Sequence, residues 1–129
     1  MDSLQSDTGS RSFDHFYLVW KLTVKTAVTK TLQSKHIELV SSAICIQSFG
    51  WKIRVTIYSF GQDQRFGVFL ECCGVTGDPD WKCSASATLS VQSQKEGIPH
   101  FQRFISHEFC KAEDDWGFLK FCTVAVSFF

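Results

Sequence analysis

From Phe16 the chain places apolar residues at every second position: Phe16, Leu18, Trp20, Leu22 and Val24 share one face, and Lys21, Thr23 and Lys25 take the other. Period two is how a half-buried strand is written. The 26–38 stretch is polar and undecided between a loop, a frayed strand and a short helical turn, and reads as connection. A clearer alternation follows, with Trp51, Ile53, Val55 and Ile57 set against Lys52, Arg54, Thr56 and Tyr58. Turn residues from Ser59 to Gln64 lead into Phe66, Val68, Leu70 and Cys72, opposed by Arg65, Gly67, Phe69 and Glu71, which predicts a hairpin. Gly74 to Asp80 is a second turn. The longest alternation runs from Trp81 to Gln92, with Trp81, Cys83, Ala85, Ala87, Leu89 and Val91 on one side and Lys and Ser/Thr/Gln on the other. After a turn over Gln94–Pro99, Phe101 to Phe109 is extended but mixed, and Cys122, Val124, Val126 and Phe128 form a closing strand. Short strands separated by turns, with no amphipathic helix, predict an all-β fold: two antiparallel sheets packed face to face as a β-sandwich. Met1 to Asp14 is polar and reads as a disordered lead-in, leaving residues 15–129 as one domain.

Composition supports strands over helices. The 129 residues include 13 Phe and 4 Trp but only one Met and two Pro, a mixture that suits pleated surfaces. Lys plus Arg and Asp plus Glu stand at 13 each, so no general field draws the chain to nucleic acid or to an anionic membrane. No window is apolar for long enough to span a bilayer. Six cysteines would suit a disulfide scaffold, but the N-terminus has no signal-peptide pattern. The expectation is an intracellular protein, in nucleus, cytoplasm or both, with reduced thiols that behave as small hydrophobes.

Candidate chemistry is sparse. Cys72, Cys73, Cys83, His100, His107 and Cys110 contain no Cys-x-x-Cys or His-x-x-x-His unit, and the adjacent Cys72 and Cys73 point to opposite faces of a strand. His107 and Cys110 are three apart on an extended stretch, which separates a would-be base from its nucleophile, and no nucleophile turn or phosphate-cradling glycine pattern is present. The reading is a non-enzyme with no cofactor and no metal. What stands out is Asp115-Trp116-Gly117-Phe118: two carboxylates, a ring and a flexible position in succession read as a contact loop rather than core. Trp116 is either a loop-capping ring packed on Phe118 and Phe121, or a platform beside a peptide groove with Asp115 accepting backbone N–H bonds.

Taken in order, Trp51-Lys52-Ile53, Gly67-Val68-Phe69-Leu70-Glu71-Cys72, Trp81-Lys82-Cys83-Ser84-Ala85 and Asp115-Trp116-Gly117-Phe118 resemble the MATH, or TRAF-homology, family of β-sandwiches. The likeness is strongest to the family's deubiquitinase branch, with Phe101, Arg103 and Ile105-Ser106-His107 adding to it, and covers roughly Trp51 to Phe121. The resemblance implies binding of short extended peptides along a shallow groove, of the Pro/Ala/Glu-x-x-Ser kind in that branch. It implies that Asp115 and Trp116 hold the peptide, that Gly117 keeps the approach open, that Arg103, Ile105 and Ser106 line the neighbouring strand, and that Phe118 and Lys120 complete the site. Departures are Phe104 in place of an arginine, Cys45 in place of a groove aromatic, and Lys120 in place of an amide, the last favouring acidic peptides. A basic groove residue expected before the Trp51 strand falls on Thr26, Lys30 or Thr31. At the far end, Cys122 to Phe129 is either a closing strand after a deleted loop or an exposed apolar edge of a shortened domain. Besides peptide recognition, two readings are weighed: the recognition fragment of a cysteine deubiquitinase, and a structural oligomerisation module.

Overall fold

A computed structural model describes residues 4–10, 15–20, 36–61, 63–92, 97 and 100–124. Among the described residues nine strands are formed: β1 (Leu4–Ser10), β2 (His15–Trp20), β3 (His36–Val40), β4 (Ile44–Ile46), β5 (Phe49–Phe60), β6 (Asp63–Gly74), β7 (Lys82–Val91), β8 (Phe101–Cys110) and β9 (Asp115–Val124). All pairings among them are antiparallel. A five-stranded sheet has the order β3-β5-β6-β9, with β4 also paired to β5, while β7-β8 and β1-β2 form two-stranded ribbons. The expected all-β antiparallel sandwich is the fold of this chain.

The period-two faces explain how the layers meet. Trp51, Val55 and Ile57 of β5 and Phe66, Val68, Leu70 and Cys72 of β6 turn inward from the large sheet. Leu89 of β7, Ile105 and Phe109 of β8 and Trp81 meet them from the ribbon. Phe109 is completely buried, and its ring stands edge-on to Trp51 at 5.2 Å and 86°, the arrangement aromatic quadrupoles favour. Each buried side chain of this size removes enough apolar surface to contribute roughly 1.5–3 kcal/mol. On β7 the predicted alternation holds throughout, with Lys82, Ser84, Ser86, Thr88 and Ser90 all exposed.

Several sequence expectations are corrected. The lead-in contains a strand, since Leu4 pairs with Trp20 and Asp7 with Tyr17; backbone ladders form whatever the polarity of the side chains, which hydropathy does not register. His36 to Glu38, read as connection, belongs to β3 and pairs with Tyr58 to Thr56. The hairpin turn after β5 is tighter than expected, as pairing continues to Phe60 and Asp63. Asp115–Phe118 is not a loop but the first half of β9. The predicted continuation of the first strand to Val24, the candidates Thr26, Lys30 and Thr31, and the closing segment beyond Val124 lie outside the described residues.

Candidate functional site

Strand β9 pairs with β6 and, among the described residues, with no other strand, so it forms one edge of the large sheet. Its first half is regular: Asp115 lies opposite Glu71, Trp116 opposite Leu70, Gly117 opposite Phe69 and Phe118 opposite Val68. Then the register breaks. Phe66 pairs with Cys122 and Val68 with Phe118, so Leu119, Lys120 and Phe121 bulge against Gly67 alone. A side chain on Gly67 would lie 2.9 Å from the Leu119 carbonyl oxygen, so the bulge fits only over a glycine.

Alternation sends Asp115 and Trp116 to opposite sides of the sheet. On the outer side Arg54 of β5 binds three carboxylates: Asp115 at 2.5 Å, Glu71 at 3.1 Å and Glu38 at 3.8 Å. Its guanidinium also lies 4.9 Å from the centre of the Phe69 ring. Burial alone would favour the uncharged guanidine, but the Asp115 hydrogen bond and the charges of Asp115, Glu38 and Glu71 outweigh it and raise the Arg54 pKa. One cation thus joins β3, β5, β6 and β9. Asp115 is accordingly half-buried and oriented rather than free.

On the inner side Trp116 keeps 43% of its surface exposed and lies flat on His107 of β8, with ring centres 4.0 Å apart and planes 8° from parallel. The His107 Nε2 is 3.1 Å from the Glu113 carbonyl oxygen, and the ring stands edge-on to Phe109 at 4.7 Å. Nε2 therefore donates to that carbonyl and the imidazole is fixed on three sides. The ring Trp116 stacks on is thus His107, while the Phe118 and Phe121 rings pair with each other, their centres 6.2 Å apart. Phe118 is covered by the Arg103 guanidinium at 4.2 Å, and Arg103 Nη1 donates to the Lys120 carbonyl oxygen at 3.1 Å.

The structure gathers Asp115, Trp116, Gly117, Phe118, Arg103 and Lys120 along one edge. Ile105 is 3% exposed and supports this edge from the core. Ser106 stands on the outer side of the ribbon, where its hydroxyl meets Ser86 at 3.1 Å. A shallow depression of about 370 Å³ lies against the same edge, walled by Phe69, Gly117 and the run 112–116. Gly117 is indispensable to that geometry, because a Cβ there would come within 2.7 Å of the Phe69 Cα and closer still to the Val68 carbonyl oxygen. Arg54 escapes the sequence reading, because its partners Glu38, Glu71 and Asp115 are distant in sequence; His107 enters that reading only as a dismissed ligand or base and through the resemblance, and nothing local marks it as the ring beneath Trp116.

Cys72 and Cys122 are buried, and desolvation pushes each pKa up to about 11; partial desolvation also raises those of Cys73 and Cys83.

Comparison with known proteins agrees with this architecture. The MATH domain family matches residues 17–126. Among curated proteins, the chain is 31% identical over 102 residues to ubiquitin carboxyl-terminal hydrolase 7 of Drosophila melanogaster, a match covering 78% of this chain and 9% of that protein.

Proposed function

Because the chain belongs to the MATH domain family of protein-interaction modules, we propose that it holds a short extended segment of another protein along the free edge of β9. The carrying observation is the conjunction of an edge unpaired among the described residues, a half-exposed Trp116 and an adjoining depression. A strand added to an edge continues the sheet, so its side chains flank those of the strand it joins. On one side it meets Asp115 and Gly117, on the other Trp116 and Phe118. Main-chain hydrogen bonds supply much of the affinity and the ring selects a small residue beside it. The interface is small, which suits a transient complex with Kd on the order of micromolar.

The segment proposed is of the Pro/Ala/Glu-x-x-Ser type, presented by substrates or adaptors in ubiquitin-dependent regulation in the nucleus or cytoplasm. Likeness to a ubiquitin carboxyl-terminal hydrolase supports that setting. The chain spans 9% of that relative's length, so a second reading makes it the substrate-recognition part of a longer deubiquitinase.

The test is calorimetric titration of the chain with Ser-containing peptides, repeated with Trp116→Ala and Asp115→Ala. Each change is expected to weaken binding about tenfold or more while leaving the circular dichroism of the fold intact. Folded variants that bind as well as the parent would remove β9 as the site.

A further inference from the structure

The edge of β9 is electrically polar. Around its first residue the carboxylates of Glu38, Glu71, Glu113, Asp114 and Asp115 outnumber the cations Lys52, Arg54 and Lys111. Glu113 and Asp114 are exposed and sit beside the depression. Five residues further on the sign reverses. Arg103 reaches across from β8 to the Lys120 carbonyl, and both Arg103 and Lys120 are exposed. Lys120 lies in the bulge opposite Gly67, four positions along β6 from the Glu71 that faces Asp115, so at a strand rise of roughly 3.3 Å per residue the two poles lie on the order of 13 Å apart. That exceeds the screening distance of about 8 Å at physiological salt, so each pole acts on its own stretch of ligand.

We infer that a peptide added antiparallel to β9 carries acidic residues before its central motif and basic residues after it. The inference rests on the strand-addition reading above and adds a charge pattern to it. Every strand pairing of the fold is antiparallel, and the antiparallel ladder is slightly the more stable per residue. An antiparallel guest begins near Lys120 and ends near Asp115. Its N-terminal flank therefore meets Arg103 and Lys120, and its C-terminal flank meets Glu113 and Asp114. Charge-matched flanks gain at both poles, and exchanged flanks lose at both.

Three peptides sharing a Pro-Ala-Thr-Ser centre test this: one with Asp-Glu before and Lys-Arg after it, one with the flanks exchanged, and one with Gly-Gly on both sides. Their affinities for the full chain are compared by fluorescence anisotropy between 50 and 500 mM sodium chloride. At low salt the first is expected to bind roughly fivefold or more tightly than the second, with the neutral peptide between them and the difference shrinking as salt rises. Lys120→Glu should erase the preference for the acidic N-terminal flank and keep that for the basic C-terminal one. Equal affinity of the two charged peptides, or preference for the exchanged one, overturns the polarity while leaving strand addition standing. Failure of all three peptides to bind overturns both.

Discussion

His107 decides how much of Trp116 is left uncovered. The imidazole covers one face of the indole, leaving the other face and the edge open. His107→Ala should release the ring and weaken peptide binding by about 3–10-fold, the equivalent of one stacked aromatic contact, whereas His107→Phe should retain affinity. Comparing tryptophan emission in the two variants checks that the ring, and not the fold, has changed. Gly117 is constrained more severely. Gly117→Ala drives a methyl group into the Val68–Phe69 backbone, and a loss on the order of 3 kcal/mol in urea unfolding is the expected result.

At the scale of strands, Arg54 replaces hydrogen-bond ladders as the tie between non-adjacent elements. Arg54→Met leaves Glu38, Glu71 and Asp115 without their common cation, and stability should fall by about 1–2 kcal/mol, since the group is only partly desolvated. Chemical denaturation measures it. Cys72 on β6 and Cys122 on β9 provide a pH signature of the same pair of strands. Their pKa values rise from 9.0 to about 11 on folding, so the folded protein holds their protons more tightly than the unfolded chain. The associated stability is whole below pH 9 and is lost as pH climbs from about 9 to 11. The melting temperature should drop over that window by less in Cys72→Ala/Cys122→Ala than in the parent, each change referred to its own value at pH 8. Strands β5, β6 and β7 are legible in the sequence because apolar residues recur at every second position along their inner faces, so alternation alone locates them. The first half of β9 is not. Asp115 and Gly117 face outward there, and their mixture of charge and glycine resembles a loop until Arg54 and the Val68–Phe69 backbone are seen to require those residues. The Asp115-Trp116-Gly117-Phe118 run stands out in the sequence, but its His107 and Arg54 partners depend on the cross-strand register and the fold-back of β8 on β9, which no local pattern encodes.

For the molecule as a whole, the five-stranded sheet and the narrower β7-β8 ribbon meet at one corner. The sheet extends to β9, and the chain passes from β8 to β9 through the Cys110–Glu113 reversal, whose backbone groups bond each other at 3.1 and 3.2 Å. From that corner His107 and Arg103 of the ribbon reach β9 with their side chains. The irregularity opposite Gly67 interrupts the β9 edge midway. The Leu119 carbonyl accepts from the Tyr58 hydroxyl at 3.3 Å and the Lys120 carbonyl from Arg103, so an arriving chain meets two engaged carbonyls at the bulge. Copies of the protein that tried to zip together along β9 would stall within a few residues, and the strand can stay open for a guest without seeding fibrils.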